Sequence, residues 1–370
     1  MSIPVYIPDL SGNEKSYVLD ALETGWISSI GPYVDRFEKA LESESGFRHV
    51  IAVSNGTVAL HLALHCLDVG PGDEVIVPTF TYIASVNTIA QTGATPVFAD
   101  VRRDDWLIDP DDLARRLTPR TKAIMPVHLY GSICDPRVYA FAREHGLRIV
   151  DDCAEVLGSS RDGINVGHAA DVATYSFFGN KTVTTGEGGA VATNDDALAA
   201  RMRMVKGQGQ STNRRYWHEE LGFNYRMTNI AAAIGTAQME RFAEIVARKR
   251  RIAEQYRSLL AGAPVVFQQA AAGVTSNEWL VSVLLPEGCD RERVMALMAE
   301  QGVDTRPVFF CAHHMPMYRS SERFPVAEDI AARGLSLPSY PALTDDEVAA
   351  VAAALTSACA LAAQEPDRIA

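Results

Sequence analysis

What this sequence lacks narrows its role first. It has no CxxC pair and no zinc-type spacing: Cys66, Cys134, Cys153, Cys289, Cys311 and Cys359 are scattered along 370 residues. A chain of this length can bury a large core without covalent staples, so the cysteines are expected to be reduced core or site-lining residues, and no metal site is expected. Basic residues are in deficit. The 34 Lys and Arg face 46 Asp and Glu, for a formal net charge of −12. Nucleic-acid phosphates call for a basic surface, so the balance argues against a nucleic-acid partner, and against an anionic membrane surface. A local positive pocket still leaves room for a phosphorylated small ligand. No apolar run reaches the ~20 residues of a membrane span. The opening MSIPVYIPDLSGNEK has neither a basic region nor an apolar signal core, so the cytoplasm is the expected compartment. No internal repeat is visible.

What is present is strand–helix alternation. Short apolar runs at 50–53, 75–77, 95–99, 123–127, 147–151, 172–177 and 190–193 read as strands. Helical patterns lie between most of them, as at 57–67, 82–91, 135–144 and 196–205. This order predicts an α/β domain with a largely parallel sheet, whose ligands sit where the chain leaves the C-terminal strand ends. Ile230, Ile234, Met239 and Ile245 then fall at roughly helical spacing, predicting one long helix over 228–260. Strands at 264–267 and 279–285, a helix near 290–301 and an Ala-rich terminal helix predict a smaller α+β domain. The expected division is 1–240 and 241–370.

Four segments carry chemistry. In SFFGNKTVTTGEGG (176–189), Lys181 follows a strand inside a Gly-, Ser- and Thr-rich turn. A loop lysine is ordinarily a solvated cation. Small flanking residues let the backbone approach a ligand, and a partly desolvated lysine can attack a carbonyl. In IVDDCAE (149–155) an apolar strand ends in two carboxylates. These could be helix-capping acids, or one could pair with a protonated ring nitrogen and keep the ring electron-withdrawing. Alternation puts Asp151 and Asp152 on opposite faces and does not say which faces the site. In SNGTVALHLAL (54–64) a Ser-Asn-Gly-Thr turn opens a helix, an arrangement that favours an anion, although Ser and Asn are also ordinary caps. In PTFTYIAS (78–85), Phe80 or Tyr82 could stack on a flat ring or simply fill the core.

Taken in order, these segments are far more specific than any one alone. The chain resembles the DegT/DnrJ/EryC1/StrS family of pyridoxal-phosphate sugar aminotransferases, from IPDLSGNEKSYVLDALETGWISS to RPVFFCAHHMPMY. The resemblance extends through GPGDEVIVPTFTYIAS, RTKAIMPVHLYG, YSFFGNKTVTTGEGG and GFNYRMTNIAAAIG. It implies the pyridoxal-phosphate aminotransferase fold (fold type I): a large α/β domain with a mostly parallel mixed sheet, plus a smaller α+β C-terminal domain. It also implies that Lys181 carries the cofactor as a Schiff base and shuttles the proton. Asp152 would pair with the pyridine nitrogen, and Tyr82 would stack on the ring. Gly56, Thr57 and Ser176 would hold the phosphate, and Glu155 would lie near the ring hydroxyl. Asn224, in GFNYRM, would reach the cofactor phosphate of a neighbouring subunit, which implies a homodimer with composite active sites.

The implied reaction is ping-pong transfer of an amino group from glutamate to a nucleotide-linked keto-6-deoxy sugar, with the pyridoxamine phosphate (PMP) form as intermediate. TGWISSIG, YSFFGNK and the run 207–227 point to amination at C4 of a GDP-sugar. That run offers Arg214 and Arg215 to a diphosphate, and Tyr216 and Trp217 as flat surfaces for a base or sugar. The resemblance adds Trp26 and His313 to the substrate residues. Amination at C3 or of a keto-cyclitol is an alternative. A sugar dehydratase of this family would carry histidine in place of Lys181, and a silent regulatory homologue would be expected to have lost that lysine. Two departures stand out: Cys153 replaces the alanine usual after the acid pair, and Phe310 stands where relatives often have histidine.

Overall fold

A computed structural model describes residues 2–211 and 213–364. Seven strands form the main sheet: β1 (His49–Val53), β2 (Glu74–Pro78), β3 (Thr95–Ala99), β4 (Thr121–Ile124), β5 (Arg148–Asp152), β6 (Val172–Ser176) and β7 (Gly189–Thr193). They lie in the order β1-β7-β6-β5-β4-β2-β3. Strands β2 to β6 pair in parallel, whereas β7 runs antiparallel to both β6 and β1. It follows that β1 points the same way as the parallel strands, so six C-terminal ends open on one side of the sheet. All seven expected strands are there. The fourth ends at Ile124 rather than 127, because Pro126 has no N–H for the ladder. β2 and β7 are buried at every residue, which explains their unbroken apolar runs: helices cover both faces.

The long helix expected over 228–260 is two helices, Asn229–Glu240 and Phe242–Leu259, parted at Arg241. Periodicity alone could not show the break, which tertiary contacts fix. The Arg241 guanidinium binds Asp9, Ser11 and Glu244. Phe242 packs on Gly158 so closely that a Cβ there would lie 2.6 Å from Phe242 Cζ. Two helices that the alternation pattern does not reveal, Glu14–Glu23 and Pro32–Ser45, pack against Asn229–Glu240.

Beyond the main sheet, Val266–Phe267, Ser282–Leu284, Gly334–Ser336 and Arg306–Pro307 form a four-stranded antiparallel sheet. The terminal helix, Asp345–Gln364, corrects one expectation. Its stretch 345–363 is long and apolar enough to cross a membrane, with a mean hydropathy of 1.5. Alanine raises that average, but the apolar side is already used: Val348, Val351, Leu355 and Ala358 are buried in a core with Ile252, Tyr256 and Leu285. The C-terminal third also returns to the first core, where Val308, Cys311, Phe324 and Ile330 join strands β2 and β4.

Candidate active site

A cavity of about 920 Å³ lies among residues from the C-terminal ends of β1, β5 and β6. At β1 the chain turns through Asn55 into the helix Gly56–Cys66. The Asn55 side chain accepts from the Val58 N–H at 3.0 Å, which caps the helix. The N–H groups of Gly56 and Thr57, the first two residues of the helix, have no acceptor among the described residues. Gly56 is required by close approach: a Cβ there would lie 2.8 Å from Ser176 Cβ at the end of β6. Gly56, Thr57 and Ser176 thus converge on the cavity wall, with two free amides and a hydroxyl at a helix N-terminus, the ordinary setting for a phosphate.

After β6 the chain turns tightly, the Lys181 N–H donating to Phe178 O at 2.9 Å. Lys181 lines the cavity with its side chain only 13% exposed. Its Nζ lies 3.3 Å from Glu155 Oε1 and 4.0 Å from the centroid of the Trp279 ring. The turn is braced from outside: Tyr6 Oη donates to Lys181 O at 2.6 Å, and Trp279 Nε1 donates to Asn180 O at 2.8 Å. Glu155 also accepts from the Tyr130 N–H at 2.9 Å. Burial pushes its carboxyl up to about 7, against the pull of the Lys181 ammonium.

The two acids at the end of β5 part company. Asp152 lines the cavity, accepting from Ser85 Oγ at 2.7 Å and from the Ala154 N–H at 3.1 Å. Asp151 is fully buried on the other side, held by Tyr139 Oη at 3.0 Å and near His128 Nε2 at 3.4 Å. Because His128 Nδ1 accepts from the Cys134 N–H, a neutral ring carries its proton on Nε2, toward Asp151. Asp152 has no ion-pair partner among the described residues, and burial raises its pKa. A buried carboxylate facing a cavity without a paired cation suits a ligand that brings its own positive charge. The donor set therefore fits pyridoxal phosphate: amides and a hydroxyl for the phosphate, a carboxylate for the ring nitrogen and an amine for the carbonyl carbon.

The remaining residues singled out in the sequence are distributed unevenly. Tyr82 lines the cavity, 5.7 Å from the ring of Phe309. Asn224, Trp26, Arg214, Arg215, Tyr216 and Trp217 are exposed and are not among the residues lining the cavity. Arg214 stacks on Trp217 at 4.4 Å and Arg215 on Tyr216 at 4.9 Å. His313 is fully buried away from the cavity lining, its Nδ1 2.7 Å from Thr79 Oγ1 and its Nε2 3.3 Å from Glu328. Ser85, Trp279, Tyr6 and Phe309 were not visible as site residues. Ser85 and Phe309 lie inside segments singled out for other residues, and Tyr6 and Trp279 come from distant stretches, so each role depends on contacts made in the fold.

This mixed sheet, with a lysine after β6 and, at the end of β5, an acid without an ion-pair partner among the described residues, defines a pyridoxal-phosphate-dependent aminotransferase. The comparisons specify which kind. The sequence matches the DegT/DnrJ/EryC1/StrS aminotransferase family over residues 8–356, and the chain belongs to that family. It is 46% identical to the GDP-perosamine synthase of Vibrio cholerae over 94% of this chain and 96% of that one. Identity to the GDP-perosamine synthase of Caulobacter vibrioides is 47%, over 95% and 97% of the two chains. Among solved structures, the PMP form of Spr1654 from Streptococcus pneumoniae superposes with a TM-score of 0.93 at 27% identity, covering 98% of this chain and 99% of that one.

Proposed function

We propose that this enzyme transfers an amino group from glutamate to C4 of a GDP-linked 4-keto-6-deoxy-hexose, as a cytoplasmic homodimer with shared active sites. The observation that carries the substrate is the 46–47% identity to GDP-perosamine synthases from two organisms over nearly the whole chain. The chemistry rests on the cavity. Bound there, pyridoxal phosphate supplies a carbon that takes up and releases the amino group and a ring that draws electrons from the donor's α-carbon. The residues of this chain do the rest. The free amides of Gly56 and Thr57, with Ser176 Oγ, hold the phosphate. Asp152, fixed by Ser85, holds the ring nitrogen in its protonated state. Tyr82 covers a ring face.

Lys181 is held between Glu155 and Trp279, where its ammonium is largely out of water. Once its amine is free, Nζ accepts the proton from the donor's α-carbon, and Glu155 at 3.3 Å is placed to steady the charge it gains. The same amine returns a proton when the keto-sugar takes the amino group. In this reading Asn224 and the loop of Arg214 to Trp217 serve the neighbouring subunit's site, which agrees with their exposure in the single chain.

The test supplies glutamate with GDP-4-keto-6-deoxymannose, its 3-keto isomer or dTDP-4-keto-6-deoxyglucose, and locates the new amine by NMR. Amination at C4 of the first is the expected outcome. A clear preference for either of the others overturns the substrate and leaves the aminotransfer chemistry standing.

A further inference from the structure

The cavity carries one permanent cation that the cofactor residues do not account for. Its charged lining consists of Asp152, Glu155 and Glu187 on one side of the balance and Lys181 and Arg306 on the other. Lys181 is engaged with Glu155 and Trp279. The Arg306 side chain has no hydrogen bond, ion pair or ring partner among the described residues. Other arginines of this small-sheet region are engaged: Arg333 with Asp329 and Leu285 O, Arg291 with Ala331 O and Glu292. The root of Arg306 is nonetheless fixed. It pairs with Ser336 in the four-stranded sheet, between buried Thr305 and the strand residue Pro307. Two residues on, Val308 is buried in the core, and the Phe309 ring stacks on Tyr130 at 5.5 Å. Arg306 is exposed, and its fixed backbone root carries an unpartnered guanidinium to the active-site cavity, where it is open to an anion.

We propose that Arg306 binds a carboxylate of the amino-acid donor and so sets the preference for an acidic donor. The inference rests on the aminotransferase reading above and deepens it. Three acids line this cavity. A donor with two carboxylates would be repelled from it unless a fixed cation offset them. Guanidinium meets a carboxylate through two parallel hydrogen bonds, which also orients the donor's amine. The sugar nucleotide's diphosphate is the other anion that visits the site, so the test separates the two.

Holoenzyme variants Arg306→Ala and Arg306→Lys are compared with wild type, their folding being checked by melting temperature. Binding of glutarate, an unreactive dicarboxylate, is measured by calorimetry, and the glutamate and keto-sugar half-reactions are followed separately. In Arg306→Ala the glutarate Kd and the glutamate KM should both rise about 10- to 100-fold, as loss of one charge-assisted pair implies. The glutamate kcat and the keto-sugar half-reaction should stay close to wild type, and Arg306→Lys should fall between. Unchanged glutarate affinity in Arg306→Ala overturns the proposal, and so does a weakened keto-sugar half-reaction with glutamate untouched. Glutarate carries no sugar, so an error in the assigned sugar substrate leaves this result readable.

Discussion

Two parts of this chain were assigned to one active site, and they have opposite physical characters. On the cofactor side, Lys181, Asp152 and Glu155 are largely or fully buried, and each is held by named partners within the chain. The run 207–227 is largely exposed. Arg214 and Arg215 stack on their own neighbours Trp217 and Tyr216, and none of these four lines the cavity. A site that must hold one cofactor through every turnover gains from preorganisation. Groups that meet an exchanging substrate, or a second subunit, are not fixed until that partner arrives.

The sharpest way to break this contrast is at its buried end. Lys181→Ala removes the amine that lies 3.3 Å from Glu155 in the cavity. Transamination should fall by about 10²–10⁴-fold or more, the range expected for losing a general acid–base, and further if carbonyl attack is lost as well. Near-normal turnover in a steady-state assay would falsify the lysine's assignment.

The adjacent acids offer a finer comparison, because one strand presents them to different surroundings. Asp152→Asn keeps the Ser85 contact but loses the charge that faces the cavity, so kcat should drop about 10²–10³-fold with little change in melting temperature. Asp151→Asn disturbs the buried Tyr139–His128 network instead. It should lower the melting temperature while kcat, measured well below unfolding, stays within about threefold of wild type, since its role is packing and hydrogen bonding. Reversal of the two outcomes would mean that Asp151, not Asp152, serves the ring.

The same pair shows how far the sequence is legible. Alternation along β5 places the acids on opposite faces. What it does not supply is what lies beyond each face, because the neighbours come from far away: Ser85 is 67 residues from Asp152, and Trp279 reaches Asn180 across 99 positions. Strands and most helices were readable, since periodicity is local. The break at Arg241 was not, because Asp9 and Gly158 enforce it from elsewhere. The phosphate-type turn at Asn55–Thr57 was readable as a helix start, but the free amides and the approach of Ser176 needed the folded chain. His313 marks the limit of reading a role from a segment: its immediate sequence is the expected one, yet its ring is spent on Thr79 and Glu328 inside the core.

The smallest expected effect tests the exposed end. Arg215 is open to water and, among the described residues, holds Tyr216 alone, through a 3.2 Å hydrogen bond and a ring contact. Removing an exposed guanidinium costs the fold little, because water screens whatever it contributes. If it meets the sugar nucleotide's diphosphate once a site is assembled, its loss removes one charge-assisted contact, and Arg215→Ala should raise the keto-sugar KM about tenfold. The glutamate half-reaction, which involves no diphosphate, should be unchanged, as should the melting temperature. The discriminating readout is salt: the difference in keto-sugar KM between wild type and variant should shrink between low and high ionic strength, as an ionic contact requires. A keto-sugar KM that does not move at any salt concentration would make Arg214–Trp217 a solvated loop, leaving only Phe223 and Tyr225 of 207–227 at the cavity.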